Sequence, residues 1–318
     1  MRPTGKLQLG NLLGALDNWV HLQDDYECFF VIVDWHALTT GYQDTSEIIA
    51  NTREIALDWL AAGIDPKRSV VFVQSAVKQH AELHLLLSMI TPLGWLERCP
   101  TYKEQLQQLA EREIHTYGFL GYPVLQAADI LIYKANAVPV GEDQLPHLEL
   151  AREIARRFNY LYGEVFPEPQ ALLNRVTLLP GLDGRKMSKS YGNCINLVDA
   201  PDQIRTAIRG MVTDPQRARR GDPGNPGVCP AFTFQRAFNG ERAPVIDPLC
   251  RAAGIGCVDC KAELAEAIVT YLAPFHSRRK ELAEDPPYID RVLLNGAERA
   301  RAAAEDTLLT VRRLLKLA

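Results

Sequence analysis

"FFVIVDWHAL", residues 29–38, is a short apolar run rich in aromatic and β-branched residues, and it reads as a buried strand. The next two segments decide the fold. "DTSEIIANTREIALDWLAAGI" (44–64) repeats its apolar residues at helical spacing, with Asp44, Thr45 or Ser46 to cap its start and Gly63 to end it. "SVVFVQS" (69–75) is a second buried strand. A strand, a helix and a strand in this order predict a parallel pair joined by a helical crossover. The alternation continues through helical patterns at 81–90 and 103–114. A long amphipathic helix comes next, within "VGEDQLPHLELAREIARRFNYLYG" (140–163), then a further strand at "RVTLLPGL" (175–182).

The expected class is therefore α/β, a Rossmann-like doubly wound parallel sheet with helices on both faces. After about residue 190 the strand signals stop. "PDQIRTAIRGMV", "CPAFTFQRAFN", "KAELAEAIVTYLAPFHSRRKELA" and "IDRVLLNGAERARAAAEDTLLTVRRLLKL" all read as helix, and 213–228 as a proline- and glycine-rich loop. This predicts a catalytic domain over 1–189 and an all-helical domain over 190–288, with a C-terminal helix (289–318) packing back onto the first. The 318 residues, 47% hydrophobic, suffice for such an arrangement. No apolar run is long enough to span a bilayer, and the N-terminus lacks a signal-peptide pattern, so a cytoplasmic location with no membrane contact is expected. Thiols there stay reduced. The net charge of −4 means that contacts to nucleic acid must come from local basic patches.

Lys186-Met187-Ser188-Lys189-Ser190 is the most informative stretch. A solvated loop would account for it, but two ammonium groups and two hydroxyls in five residues also make a phosphate clamp. Gly184 and Gly192 on either side allow the loop to move. The string arises by chance roughly once in ten thousand chains of this size. Near the N-terminus, "RPTGKLQLGNLLGAL" (2–16) is a glycine-punctuated loop running into a helix, whose free N–H groups suit an anion. Gly10 leaves room for a flat base against the backbone.

Together these motifs look like a class I aminoacyl-tRNA synthetase, with Gln8-Leu9-Gly10-Asn11 standing where the class shows its "HIGH" signature and Gln8 replacing the first His. "YPVLQAADILIYKANAVPVGEDQLPHLELAREIARRFN" (122–159) and "DYECFFVIVDWHALT" (25–39) resemble the tryptophanyl-tRNA synthetases in particular. The resemblance covers nearly the whole chain. It implies activation of L-tryptophan by ATP with Mg²⁺, transfer to tRNA(Trp), and a homodimer. A tyrosine-type enzyme, or a non-charging paralogue that binds RNA or senses tryptophan, remains the alternative. By residue, it implies that Lys186, Lys189, Ser188 and Ser190 act on the leaving pyrophosphate. Arg2, Thr4, Gly10, Asn11, Gly141, Glu142, Asp143 and Met187 would bind ATP. Asp129 would accept the indole N–H, which can only donate. Tyr122 and Gln144 would hold the amino acid's ammonium and carboxylate, with His36, Gln126, Val138 and Val140 around the ring. Many family members carry Met where Gln126 stands. The family also has a strand and a Ser-Gly turn ahead of the first helix. Only nine residues precede Gly10, so either the true start lies upstream or that strand is missing from this chain.

Three of the seven cysteines fall within "CRAAGIGCVDC" (250–260), and Cys229 completes a C-x20-C-x6-C-x2-C pattern. Reduced thiols so clustered suggest a metal, and Cys229, Cys250, Cys257 and Cys260 suit either Zn²⁺ or an iron–sulfur cluster. Spacing does not choose between them. A subset of the resembled family carries a similar pattern and binds a [4Fe–4S] cluster beside the anticodon-binding surface, which favours the cluster; Cys28, Cys99 and Cys194 are expected to be uninvolved. Arg205, Arg209, Arg217, Arg219 and Arg220 are candidate phosphate contacts for the tRNA. The apolar stretch 83–99 is the expected dimer face.

Overall fold

The computed structural model describes residues 1–99, 115–173, 179–188 and 191–317. Two parallel pairs of strands form its sheet elements. Strand β1 (Phe29–Ile32) pairs with β2 (Val70–Val73), with Phe29 opposite Val70 and Ile32 opposite Val73. Strand β3 (Ala137–Val140) pairs with β4 (Gln170–Leu173), with Ala137 opposite Gln170. Met1 extends along β1: its amine donates to the Val31 carbonyl (2.7 Å), and Val33 N–H donates to the Met1 carbonyl (2.9 Å).

The first run is shorter as a strand than its composition suggests. It stops at Ile32, and helix α2 starts at Asp34, following α1 at residues 9–22. The Asp34 carboxylate accepts from the N–H groups of Trp35 (3.1 Å) and Ser75 (3.0 Å), a local bonding that turns the chain out of the strand and ties it to the end of β2. The crossover helix α3 (Ile48–Ala62) ends where expected, at Gly63 with φ +116°. Its predicted cap lies in the turn before it, where Asp44 accepts from the Ser46 N–H and Oγ. Helices α4 (Gln79–Ser88), α5 (Tyr117–Leu131) and α6 (Leu145–Tyr162) complete this part. The helix expected at 103–114 and most of the strand expected at 175–182 lie outside the described residues. Within the latter, Pro180 forms an isolated antiparallel bridge with Lys186, and the strand paired with β3 is the earlier 170–173.

The later residues are helical as expected: α7 (Pro201–Gly210), α8 (Pro230–Phe238), α9 (Ala243–Arg251), α10 (Cys257–Ala283) and α11 (Pro286–Leu314). Helix α9, with Pro248 inside it, gave no clear pattern in the sequence. Helix α11 packs across β2. The contact is so close that a Cβ on Gly296 would fall within 2.6 Å of the Val71 carbonyl carbon. One apolar core joins Leu9, Phe30 and Trp59 to Ile204, Phe234, Leu264 and Ile268, which fixes the helical region against the sheet elements.

Candidate active site

A cavity of about 460 Å³ opens at the carboxyl ends of β1 and β3, where ligands of open α/β sheets bind. Helix α1 forms one wall. Its middle turn, Leu12–Leu16, is π-helical, and Gly14, Ala15 and Trp19 face the cavity. His36 comes from α2, Tyr122, Gln126 and Asp129 from α5, and Val138 and Val140 from β3; Arg2, Gly141 and Gln144 complete it. The structure thus brings together every residue expected around the aromatic ring and its amino-acid end.

Asp129 is the electrostatic centre. Its side chain is 8% exposed and receives four hydrogen bonds. His80 Nδ1 (2.6 Å) and Gln74 Nε2 (2.7 Å) donate to Oδ1, and His36 Nε2 (2.8 Å) and Gln74 Nε2 (2.8 Å) to Oδ2. Burial alone would raise the pKa of this carboxyl, but the bonds from His36 and His80 outweigh it and hold it well below the ordinary carboxylate range. The group is therefore an anion facing a mostly apolar cavity. Tyr133 braces it from behind, donating its hydroxyl to His80 Nε2 (2.7 Å). Gln74, His80 and Tyr133 were not singled out in the sequence. Gln74 had a signal, as a polar residue at the carboxyl end of a parallel strand; His80 reads as an ordinary helix residue. Across the cavity the Tyr122 hydroxyl donates to His147 Nε2 (3.0 Å), and burial lowers the His147 pKa, favouring the neutral ring that can accept.

The two nucleotide-type motifs lie against each other. A Cβ on Gly10 would meet Met187 Sδ at 3.4 Å. Leu9 N–H donates to the Ile195 carbonyl (3.0 Å) and Leu197 N–H to the Leu7 carbonyl (2.8 Å), stitching the first helix to the segment after the Lys-Ser loop. Asn11 accepts from the Gln8 N–H (3.0 Å) at the helix start. Asn193 shapes the loop by accepting from the Ser188 N–H (2.8 Å) and donating to the Lys186 carbonyl (3.1 Å), while the Lys186 side chain is exposed. Gly184 and Gly192 both have positive φ, at +80° and +62°. Lys189 and Ser190 lie outside the described residues. Thr4, Asn11 and Met187 are not on the wall of the cavity, and Glu142 and Asp143 form an exposed turn just beyond Gly141 at its mouth.

The four patterned cysteines share one region of the helical part, at the start of α8 (Cys229), near the end of α9 (Cys250) and in the first turn of α10 (Cys257, Cys260). All are free thiols. Cys229, Cys250 and Cys260 pack against the apolar cluster of Phe232, Ala243, Ile246 and Ile255. Burial, with the neighbouring thiolates, pushes Cys260 up to about 11. Arg217 reaches Cys250 Sγ with Nη1 (3.7 Å), and its Nε is buried without a hydrogen-bond partner among the described residues. A Cβ on Gly224 would approach Cys250 Sγ to 2.5 Å. Among the described residues no three His, Cys, Asp or Glu side chains are grouped to hold a single metal ion.

Two expected phosphate-contacting arginines have other employment. Arg217 is 9% exposed and donates inward to the Ile255 carbonyl (2.8 Å), and Arg205 is paired with Glu266 (2.7 Å) and Asp202 (2.9 Å). Arg209, Arg219 and Arg220 are exposed, although Arg220 lies 3.4 Å from Asp259.

These features define a parallel α/β fold in which a glycine-bearing helix start and a Lys-Ser loop lie together beside a mostly apolar pocket with one buried carboxylate. Comparison with known proteins narrows that class. Residues 1–273 match the family of class I tRNA synthetases for W and Y. The chain is 55% identical to the tryptophan–tRNA ligase of Thermotoga maritima, over 100% of this chain and 98% of that one, and 44% identical to that of Aquifex aeolicus, with the same coverage. Among solved structures, tryptophanyl-tRNA synthetase from Campylobacter jejuni complexed with ADP and tryptophan superimposes with a TM-score of 0.89 at 34% identity, covering 100% of this chain and 98% of that one. The chain belongs to the class I tRNA synthetase family for tryptophan and tyrosine.

Proposed function

We infer that the chain is a tryptophan–tRNA ligase, which activates L-tryptophan with ATP and transfers it to tRNA(Trp). The observation that carries the choice of tryptophan over tyrosine is the 55% identity, across the whole chain, to the tryptophan–tRNA ligase of Thermotoga maritima, and the buried Asp129 anion at the cavity wall is an acceptor suited to an indole N–H. A phenol-free ring such as that of phenylalanine would leave the anion without that bond. Tyr122 and Gln144 are suited to the ammonium and carboxylate, and Gln126, Val138 and Val140 to the ring.

In this reading the tryptophan carboxylate attacks the α-phosphate of ATP, forming tryptophanyl-adenylate and releasing pyrophosphate. A terminal ribose hydroxyl of the tRNA then takes the aminoacyl group. No nucleophile from the enzyme is needed, because positioning and charge stabilisation carry phosphoryl chemistry of this kind. Lys186 and Lys189 neutralise the leaving pyrophosphate, and Ser188 and Ser190 donate to it. Arg2, Thr4 and Asn11 contact phosphates. Gly10 and Met187 meet at the place where a base would lie, and the turn of Gly141, Glu142 and Asp143 offers carboxylates to the ribose. Mg²⁺ travels with the ATP. Amino-acid-dependent ATP–pyrophosphate exchange tests the assignment: tryptophan should support exchange far above tyrosine and phenylalanine, and equal exchange with tyrosine would overturn it.

Residues 190–288 form the anticodon-reading unit, with Arg209, Arg219 and Arg220 as its phosphate contacts. Cys229, Cys250, Cys257 and Cys260 hold a [4Fe–4S] cluster there, with Zn²⁺ as the alternative. The donor set and the close approach of Gly224 suit a bound centre. A tetrahedral zinc holds its sulfurs roughly 3.8 Å apart, from Zn–S bonds of about 2.3 Å. Held by these four thiols, such a centre would tie together the start of α8, the end of α9 and the start of α10. The enzyme works as a homodimer in the cytoplasm. Leu85, Met89 and Leu93 are exposed along the expected face, and no helix of the described residues is long and apolar enough to cross a membrane. Sedimentation at micromolar concentration tests the dimer, and a monomer there would refute it.

A further inference from the structure

Asp129 has no acceptor position to spare. A carboxylate offers about four lone-pair sites, and the four bonds from His80, His36 and the bifurcated Gln74 amide reach all of them. Gln74 and His80 are fully buried, and His80 is fixed from behind by Tyr133. His36 is the donor of the three that lines the cavity. If the indole N–H binds Asp129, one of these bonds must yield, and the packing leaves His36 as the one placed to do so. We propose that His36 Nε2–H and the substrate's indole N–H compete for Oδ2 of Asp129, so that tryptophan binds by exchange with His36. This rests on the reading of Asp129 as the indole acceptor.

The exchange sets how selective the pocket is. An aromatic amino acid without a ring N–H leaves His36 in place, and the buried carboxylate stays fully bonded. Discrimination is then the difference between two N–H bonds to the same oxygen. Without a donor at position 36, the same analogue would leave a buried acceptor unfilled, at the full desolvation cost of that group. His36 is thus a positioning residue that moderates discrimination.

The test is equilibrium binding of tryptophan and of 3-benzothienylalanine, in which sulfur replaces the ring N–H, to the full-length enzyme and its variants. His36→Leu should raise the analogue-to-tryptophan ratio of Kd values about tenfold over wild type, the scale of an unfilled buried acceptor. His36→Gln, which keeps an N–H donor, should stay within about twofold of it. Asp129→Asn should bring the ratio toward one. If Asp129→Asn leaves the ratio at the wild-type value, the indole assignment itself fails. If it collapses the ratio while His36→Leu does not raise it, the exchange alone is refuted. Wild-type protein gives an independent reading through ¹⁵N-histidine NMR. Tryptophan should shift the His36 Nε2 resonance and the analogue should not, and equal shifts with both overturn the proposal.

Discussion

Replacing Asp129 with Asn changes one atom and tests the centre of the site. The carboxylate faces three donor side chains, and an amide has a single acceptor oxygen with which to meet them. The fold has means to adapt. Gln74 Oε1 is buried without a partner among the described residues, so a flip of that side chain would let it accept from the new amide. His80 can exchange tautomers with the Tyr133 hydroxyl reversing its role. The variant should therefore fold. The substrate has no such adjustment, since the indole N–H exchanges a buried anion for a neutral oxygen already shared by other donors. Breaking a charged hydrogen bond of this type costs about 2–4 kcal/mol, which is roughly 30- to 900-fold in kcat/KM for tryptophan. ATP should bind almost as before. Tryptophan-dependent ATP–pyrophosphate exchange, with tryptophan and ATP varied in turn, measures both quantities. Exchange at the wild-type rate, or an equal loss in the ATP dependence, would refute the assignment of Asp129 to the indole.

The same pair of proteins carries a pH signature: because the folded-state pKa of Asp129 is depressed, its contribution to stability is present above about pH 4 and declines as pH falls through the folded value. The gap in urea midpoint between wild type and Asp129→Asn should shrink as pH falls below about 4; a gap that grows there contradicts the depressed pKa. Lys189→Ala should slow adenylation far more than it weakens tryptophan binding, because the charge it meets develops on the leaving pyrophosphate; equal losses would indicate a structural role for the loop. Gly296→Ala places a methyl group against the Val71 backbone and should cost about 3 kcal/mol in urea unfolding, the upper range for overpacking, whereas a neutral effect would mean that α11 does not hold its contact with β2. Protein purified without oxygen should be brown and absorb near about 400 nm; about one zinc per chain and no iron would refute the cluster and keep a four-thiol site.

The parts of this molecule that were legible in the sequence are those set by local pattern. The apolar β-branched runs at 29–32 and 70–73 state their strands, and Gly63 states the end of α3. The Lys-Ser loop is recognisable because it concentrates charge and hydroxyls within five residues. Asp34 escaped because the deciding interaction is not local: the Ser75 N–H, forty-one residues on, helps turn the chain at that carboxylate. The partners of Arg205 and Arg217 escaped for the same reason. A positive charge in a sequence looks like a surface charge until Glu266 or the Ile255 carbonyl is seen to claim it.

The site divides along this line too. The residues expected at its walls lie on three short segments, each with its own signature, while Gly14, Ala15 and Trp19 of the α1 wall carried none. The site's electrostatics were not predicted, because the donors to Asp129 come from separate elements, α2, the end of β2 and α4, and none of them has a fixed spacing to the acceptor. That distribution has a functional consequence. A buried anion supported by a single neighbour would depend on that neighbour's protonation and rotamer. Here two fully buried donors hold one oxygen of the carboxylate and share the other. The carboxylate is therefore held and oriented by two donors that do not face the cavity, which is what the proposed exchange of its cavity-side contact for an N–H donor requires.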